Sequence, residues 1–250
     1  MPTLQKLKKN LRLKNIRRKI FLRYRLPLIC PIEDVNLEAF HRVAVFKKSK
    51  VAFNRLKKNA NSTAMIALTR LENGLLLGSR TAKREACSLD TVSVLFSDLA
   101  RFDWPLIIRD PYSRTLSAFL EKFGKELYIR KYGDFGLSPN GFYNFLCWLK
   151  DGGINANYHW NLQTAHIFLP LNCYTKIIRF ETFGSEFLRF LQEKDPSIDS
   201  DFLCEATRTG AIHATRSDEK ITAFYNKESR KLVSELFDAD FRILGYPIRD

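Results

Sequence analysis

Residues 105–123, PLIIRDPYSRTLSAFLEKF, put an arginine at the end of a short apolar run and hydroxyls on the helix that should follow, a pairing suited to gripping a phosphate. Residues 105–108 read as a β-strand. Asp110 is a good N-cap and Pro111 suits the first helical position, so a helix is predicted to begin there. Tyr112, Leu116, Phe119, Leu120 and Phe123 make its buried stripe, and Asp110, Ser113, Arg114 and Ser117 fall on the other side. Arg109, Arg114, two hydroxyls and the N–H groups of a helix start would converge where an anion is favoured. The same residues also suit a plain N-capped helix whose arginines pair with surface carboxylates.

A second anion site is expected upstream. Residues 51–56 are a strand candidate, and 57–65, KKNANSTAM, supply a loop and helix start in which a lysine, hydroxyls and successive backbone N–H groups can form an anion nest. The kinase loop G-x-x-x-x-G-K-[ST] is absent. A lysine-rich turn capping the helix through Ser62 is the structural alternative.

These blocks resemble the carbohydrate sulfotransferases that use 3′-phosphoadenosine 5′-phosphosulfate, the Golgi-type group and its bacterial relatives. The pattern RdPyxRlvSAyxxKf is met by Arg109, Asp110, Pro111, Tyr112, Arg114, Leu116, Ser117, Ala118, Phe119, Lys122 and Phe123. The resemblance implies that Arg109 and Ser117 hold the donor's 3′-phosphate, with Arg114 beside them. The loop is similar to K-x-G/A-x-T-S, filled by Lys58, Asn59, Ala60, Asn61, Ser62 and Thr63, which would hold the 5′-phosphosulfate. Lys57 replaces the proline of that pattern, and Ala60 and Asn61 fill its glycine slots; asparagine tolerates left-handed backbone. A third block supplies His159, Trp160, Gln163 and Glu181, and a fourth Asp240, Phe241, Gly245 and Tyr246. The four occur in the family's order.

The implied chemistry is sulfuryl transfer, driven by positioning and electrostatics and requiring no metal. Lys58, helped by Ser62, would neutralise the bridging oxygen of the leaving phosphate. His159 is the candidate base, because imidazole suits proton abstraction near neutral pH. A packed histidine is the competing reading, and Glu72 and Glu85 are the alternative bases, since related groups use a carboxylate after the loop. Arg208, Gly210 and Arg216 lie where other sulfotransferases close a loop over the nucleotide. Glu181 is expected to anchor loops.

Strand candidates 51–56, 105–108 and 174–180 alternate with helical patterns such as Val92, Leu95, Phe96 and Leu99, or Leu232, Val233, Leu236 and Phe237. The expected fold is therefore α/β: one domain with a mostly parallel central sheet flanked by helices and a P-loop-like strand–loop–helix. With 250 residues, 45% of them hydrophobic, the chain can bury one sizeable core. Residues 41–250 are assigned to that domain and residues 1–40 to a basic arm.

The first 25 residues hold ten Lys or Arg and no acid, and they dominate the +14 net charge. A solvated arm is expected, with contact to an anionic membrane or an acidic glycan as its functional alternative. No run of 18 apolar residues exists, and five scattered cysteines contain no C-x-x-C pair, so a cytoplasmic, reducing location is expected, a Golgi one only with an added anchor. The expected partner is a glycan or polysaccharide acceptor rather than nucleic acid. A phosphotransferase with a variant phosphate loop, or a non-enzymatic basic module for polyanions or membranes, is the rival function.

Overall fold

The computed structural model describes residues 16, 19–89, 98–210 and 217–249. Its sheet has five short strands, β1 (Val43–Phe46), β2 (Val51–Asn54), β3 (Cys87–Ser88), β4 (Pro105–Ile108) and β5 (Lys176–Arg179). They lie in the order β3–β1–β2–β4–β5. β1 pairs antiparallel with both β2 and β3, whereas β2–β4 and β4–β5 are parallel. The sheet is thus small and mixed within a mostly helical chain, which corrects the expected α/β fold with a mostly parallel central sheet.

Two features hid the antiparallel half. β1 reads VAVF, an apolar run without alternation, and it joins β2 through the turn 47–50, KKSK, which lacks the usual hairpin dipeptides. That turn is satisfied from a distance: Glu72 accepts hydrogen bonds from the backbone N–H groups of Lys48 (2.9 Å) and Ser49 (3.0 Å) and from the Ser49 hydroxyl (3.0 Å). Lys50 takes a φ of 53° to complete the reversal.

The helices are α1 (Asn61–Asn73), α2 (Ser79–Glu85), α3 (Pro111–Lys122), α4 (Glu126–Tyr132), α5 (Pro139–Lys150), α6 (Phe183–Lys194), α7 (Ser200–Gly210), α8 (Ser217–Phe224), α9 (Lys227–Leu236) and α10 (Asp238–Leu244). α3 starts as its sequence predicts, with Asp110 accepting from the N–H groups of Tyr112 (2.8 Å) and Ser113 (3.2 Å). Its polar side is not solvated, however. Ser113, Arg114 and Ser117 are as buried as Tyr112, Leu116 and Phe119.

The pleat sends alternate residues to opposite faces of the sheet. Ala52, Leu106 and Ile108 enter one core with Trp104, Phe119, Phe145, Trp160 and Phe168. Val51, Phe53 and Ile107 enter the other with Met65, Ile66, Phe187 and Phe190.

The first core also takes residues from before position 40. Phe21 and Leu26 are fully buried, and the Phe21 ring meets Phe40 edge-on at 5.5 Å. Residues 1–15, 17 and 18 of the basic arm lie outside the described residues, as do Val92, Leu95 and Phe96 of the helix expected there. Leu99 falls in a short 3-10 turn, Leu99–Arg101. Among the described residues no helix is long and apolar enough to cross a membrane.

Burial of Phe21 has a measurable consequence. Phe21→Ala should lower unfolding free energy by about 3–5 kcal/mol, the usual cost of emptying a phenylalanine site in a core. Denaturant titration checks it, and a loss within about 0.5 kcal/mol, typical of surface sites, would mean that this segment does not pack into the core in solution.

Candidate functional site

β2 runs into the loop 55–60 and then α1, and β4 ends one residue before Arg109. The loop bends sharply because Lys58 (φ 69°) and Ala60 (φ 50°) both adopt left-handed backbone. Each costs roughly 1–2 kcal/mol for a residue with a Cβ, so the surroundings must hold the loop in place. The asparagine expected to relieve the turn, Asn61, is instead the first residue of α1.

Three side chains clamp the loop. Asn59 donates to the Ile107 carbonyl (2.9 Å) and the Gln163 side-chain oxygen (2.6 Å). Arg109 Nη1 donates to the Lys58 carbonyl (3.0 Å), and Arg114 donates through Nε to the Lys57 carbonyl (3.2 Å) and through Nη1 to the Asn161 carbonyl (2.8 Å). No side chain caps α1, which removes the reading of Ser62 as a cap.

In front of the loop lies a cavity of about 640 Å³. Lys57, Lys58, Ala60, Asn61, Ser62 and Thr63 line it from the loop and α1, Arg109 and Ser117 from the second motif, and His159 from the third. Asn59 and Arg114, expected to touch the ligand, are not among its lining residues and brace the loop. Glu72 holds the β1–β2 turn, and Glu85 is exposed at the end of α2; neither lines the cavity. Arg208 is exposed and also outside the lining, while Gly210 is part of it. Gly210 packs so close to the start of α1 that a Cβ there would stand 3.1 Å from Thr63 Oγ1. Arg216 lies outside the described residues.

Arg109 is held flat by its neighbours. Nε donates to Ser113 Oγ (2.9 Å), Nη2 to Ser217 Oγ (2.8 Å), and the guanidinium sits 3.8 Å from the centroid of the Phe180 ring. This presents a fixed planar cation to the cavity. Gln163 locks the backbone of Arg109 by accepting from its N–H (3.0 Å) and donating to its carbonyl (2.8 Å). Asp240 in turn fixes Gln163, accepting from its backbone N–H at 2.8 Å. Glu181 anchors loops as expected, taking the Asp110 N–H (2.9 Å) and the Tyr246 hydroxyl (2.9 Å).

The lining includes residues the motifs did not point to: Lys83, Glu121, Lys125, Phe180, Phe183 and Ser217, besides Lys57 and Lys122. Glu121 pairs with Lys58 (2.7 Å), Lys122 (2.9 Å) and Lys125 (2.8 Å). Burial raises its pKa, but the three ammonium groups outweigh that and hold the carboxyl well below the usual carboxylate range. A signal for it existed: Ser113, Ser117 and Glu121 recur every four residues and so share one face of α3. Lys57 is pulled down to about 8 by burial and by the Lys83 and Arg55 cations.

His159 lies over Tyr158, ring centroids 4.8 Å apart. Asn157 Oδ1 accepts from the His159 backbone N–H (3.0 Å), which identifies that atom as the amide oxygen. The 2.6 Å contact from His159 Nδ1 to the same oxygen is therefore an Nδ1–H donation, leaving the lone pair on Nε2. Burial, then Lys122 and Lys57, push the ring down to about 2, so it is neutral across the physiological range.

The model of the Sulfotransferase family matches residues 41–247 of the chain. No curated protein and no solved structure gives a match.

The depressed His159 pKa gives a pH dependence of known sign. An unfolded chain protonates this ring below about pH 6.5 and the folded protein does not, so stability is full above 6.5 and falls on acidification, by up to about 1.4 kcal/mol per pH unit. In urea titrations at pH 7.5 and 5.0, His159→Gln should lose about 2 kcal/mol less than the unmutated protein between the two conditions. Identical losses would place the ring in water.

Proposed function

Because the chain belongs to the sulfotransferase family, we propose that its cavity takes 3′-phosphoadenosine 5′-phosphosulfate and passes the sulfuryl group to a hydroxyl of a carbohydrate. The observation that carries this reading is that one cavity gathers the cations and hydroxyls of two motifs. Arg109 and Ser117 form one set, and Lys58, Ser62 and the uncapped start of α1 form the other. The first suits the 3′-phosphate and the second the 5′-phosphosulfate. Phe180, Phe183 and Leu203 offer an apolar wall for the purine. The resemblance of four blocks to carbohydrate sulfotransferases supports the acceptor class.

In the proposed step the acceptor oxygen attacks sulfur, the bond from sulfur to the 5′-phosphate oxygen breaks, and the acceptor's proton passes to Nε2 of His159. Lys58 stands where negative charge develops on the leaving oxygen, an electrostatic role that needs no reorganisation during the reaction. His159 begins neutral, as a proton acceptor must. The donor's negative charges offset the lysines that depress its pKa and raise its basicity when the donor is bound. A phosphotransferase reading would need a strand-end aspartate to hold a metal. Asp110 is committed elsewhere, its Oδ1 to the cap and its Oδ2 to Arg249 at 2.5 Å.

Isothermal titration tests the donor assignment. The unmutated protein should prefer 3′-phosphoadenosine 5′-phosphate over 5′-AMP by about ten- to a hundredfold, the worth of a charge-assisted contact, and Arg109→Ala should erase the preference. Equal affinities before mutation would sink the assignment.

Turnover tests the loop. Lys58→Ala should lower kcat far more than it weakens binding of the nucleotide product, because the lysine acts on charge that exists only in the transition state. A larger effect from Lys57→Ala would move the catalytic cation by one residue.

A further inference from the structure

α2 lies beside the start of α1 and presents Ser79 and Lys83 one turn apart on the same face. Lys83 Nζ donates to Ser79 Oγ (2.7 Å) and to Ser62 Oγ (3.2 Å), and Ser79 Oγ donates to Ser62 Oγ (3.2 Å). Ser62 and Lys83 both line the main cavity. Lys83 also borders an adjoining pocket of about 160 Å³ whose other charged groups are Arg42, Arg55 and Lys57.

The partners of Lys58 and Lys83, two of the lysines that line the cavity, differ in kind. Lys58 is tied to a carboxylate, Glu121, at 2.7 Å. Lys83 is held by hydroxyls, and among the described residues no carboxylate stands within ion-pair distance of it. Hydroxyls orient an ammonium group without cancelling its charge. An ammonium has three N–H donors, so two bonds to serines leave one for a ligand. Ser62 is prepared in the same way: its oxygen accepts from Ser79 and Lys83, so its own proton is directed away from them. Burial lowers the Lys83 pKa and nearby Arg55 adds to that, outweighing the opposing pull of the more distant Glu121 carboxylate.

We propose that Lys83 is a second donor-binding cation, which with the Ser62 hydroxyl grips the 5′-phosphate end of the nucleotide. This deepens the donor reading above and rests on it. An anion arriving at Lys58 must displace a bonded carboxylate, whereas at Lys83 it meets a positioned cation on which Glu121 acts only from a distance. The two lysines then divide the work. Lys83 contributes mainly to binding the 5′-phosphate, and Lys58, freed from Glu121 as charge builds on the leaving oxygen, contributes mainly to turnover.

The test uses two nucleotides that differ only at the 5′ position, 3′-phosphoadenosine 5′-phosphate and adenosine 3′-phosphate, titrated calorimetrically into the unmutated protein, Lys83→Gln and Lys83→Arg. Lys83→Gln keeps a chain able to hydrogen-bond the two serines and guards against loss of the α1–α2 contact. Its affinity for 3′-phosphoadenosine 5′-phosphate should fall about ten- to a hundredfold while that for adenosine 3′-phosphate stays within about twofold, and Lys83→Arg should recover most of the loss. Equal losses for both nucleotides would mean that Lys83 only braces the fold, and no loss for either would remove it from the site. Either result overturns the proposal and leaves the donor reading standing. If the unmutated protein bound neither nucleotide, the donor reading itself would fail and this inference with it.

Discussion

The side-chain amide of Gln163 is the interaction on which the rest of the site depends. It is fully buried, and its oxygen takes hydrogen bonds from Asn59 of the loop and from the backbone of Arg109, while its nitrogen returns one to the Arg109 carbonyl. Asp240 of α10 holds the residue's own N–H. The loop and the end of β4 are thus joined by one side-chain amide, and the backbone N–H of the same residue ties them to the last helix. In a low-dielectric interior such bonds are strong, and every atom of the Gln163 amide group that faces the loop and β4 is paired, although Asn59 Oδ1 is buried without a partner among the described residues. An apolar replacement would leave several buried groups without partners, each at a cost of roughly 1–3 kcal/mol.

Around that fixed point the cavity is built with an excess of positive charge. Lys57, Lys58, Lys83, Arg109, Lys122 and Lys125 line it, and Glu121 is its one carboxylate among the described residues. Burial first, and then repulsion between like charges held close, make Lys57 lose its proton more readily than a lysine in water. A bound polyanion relieves this repulsion, so the empty site is electrostatically strained and the filled one is not. The backbone stores a second strain in the left-handed Lys58 and Ala60, held by the bonds from Asn59, Arg109 and Arg114.

How much of this the sequence disclosed follows from the range of the interactions involved. The start of α3 was legible because its signals, Asp110 and Pro111, act within four residues. The placement of Arg109 at a strand end and of Lys58 in a strand-to-helix loop was legible for the same reason. Residue type did not reveal direction. Asn59 and Arg114 sit in the right motifs yet face backward into the fold, whereas Glu121, on the same helix face as Ser117, reaches the cavity. Lys83 and Ser217 come from segments without a motif, brought in by packing. The expectation for the sheet failed because half of it rests on the β1–β2 hairpin, whose turn lacks the usual hairpin residues and takes its hydrogen-bond acceptors from the distant Glu72.

The contacts of Asp240 and Arg249 have a consequence for the order in which the parts of this fold become rigid. Arg249 is bonded to Asp110 at 2.5 Å and exchanges hydrogen bonds with the Tyr112 hydroxyl, and Asp240 holds Gln163, so the helix start beside Arg109 is secured by residues distant in sequence. These contacts join positions 139, 137 and 77 residues apart, and contacts of such separation close late because the intervening chain must first lose its freedom. A chain that has not yet closed them can pack its hydrophobic faces but holds Arg109 and the loop only loosely. The cavity's cations are therefore set in place late in folding, after the core that surrounds them has begun to form.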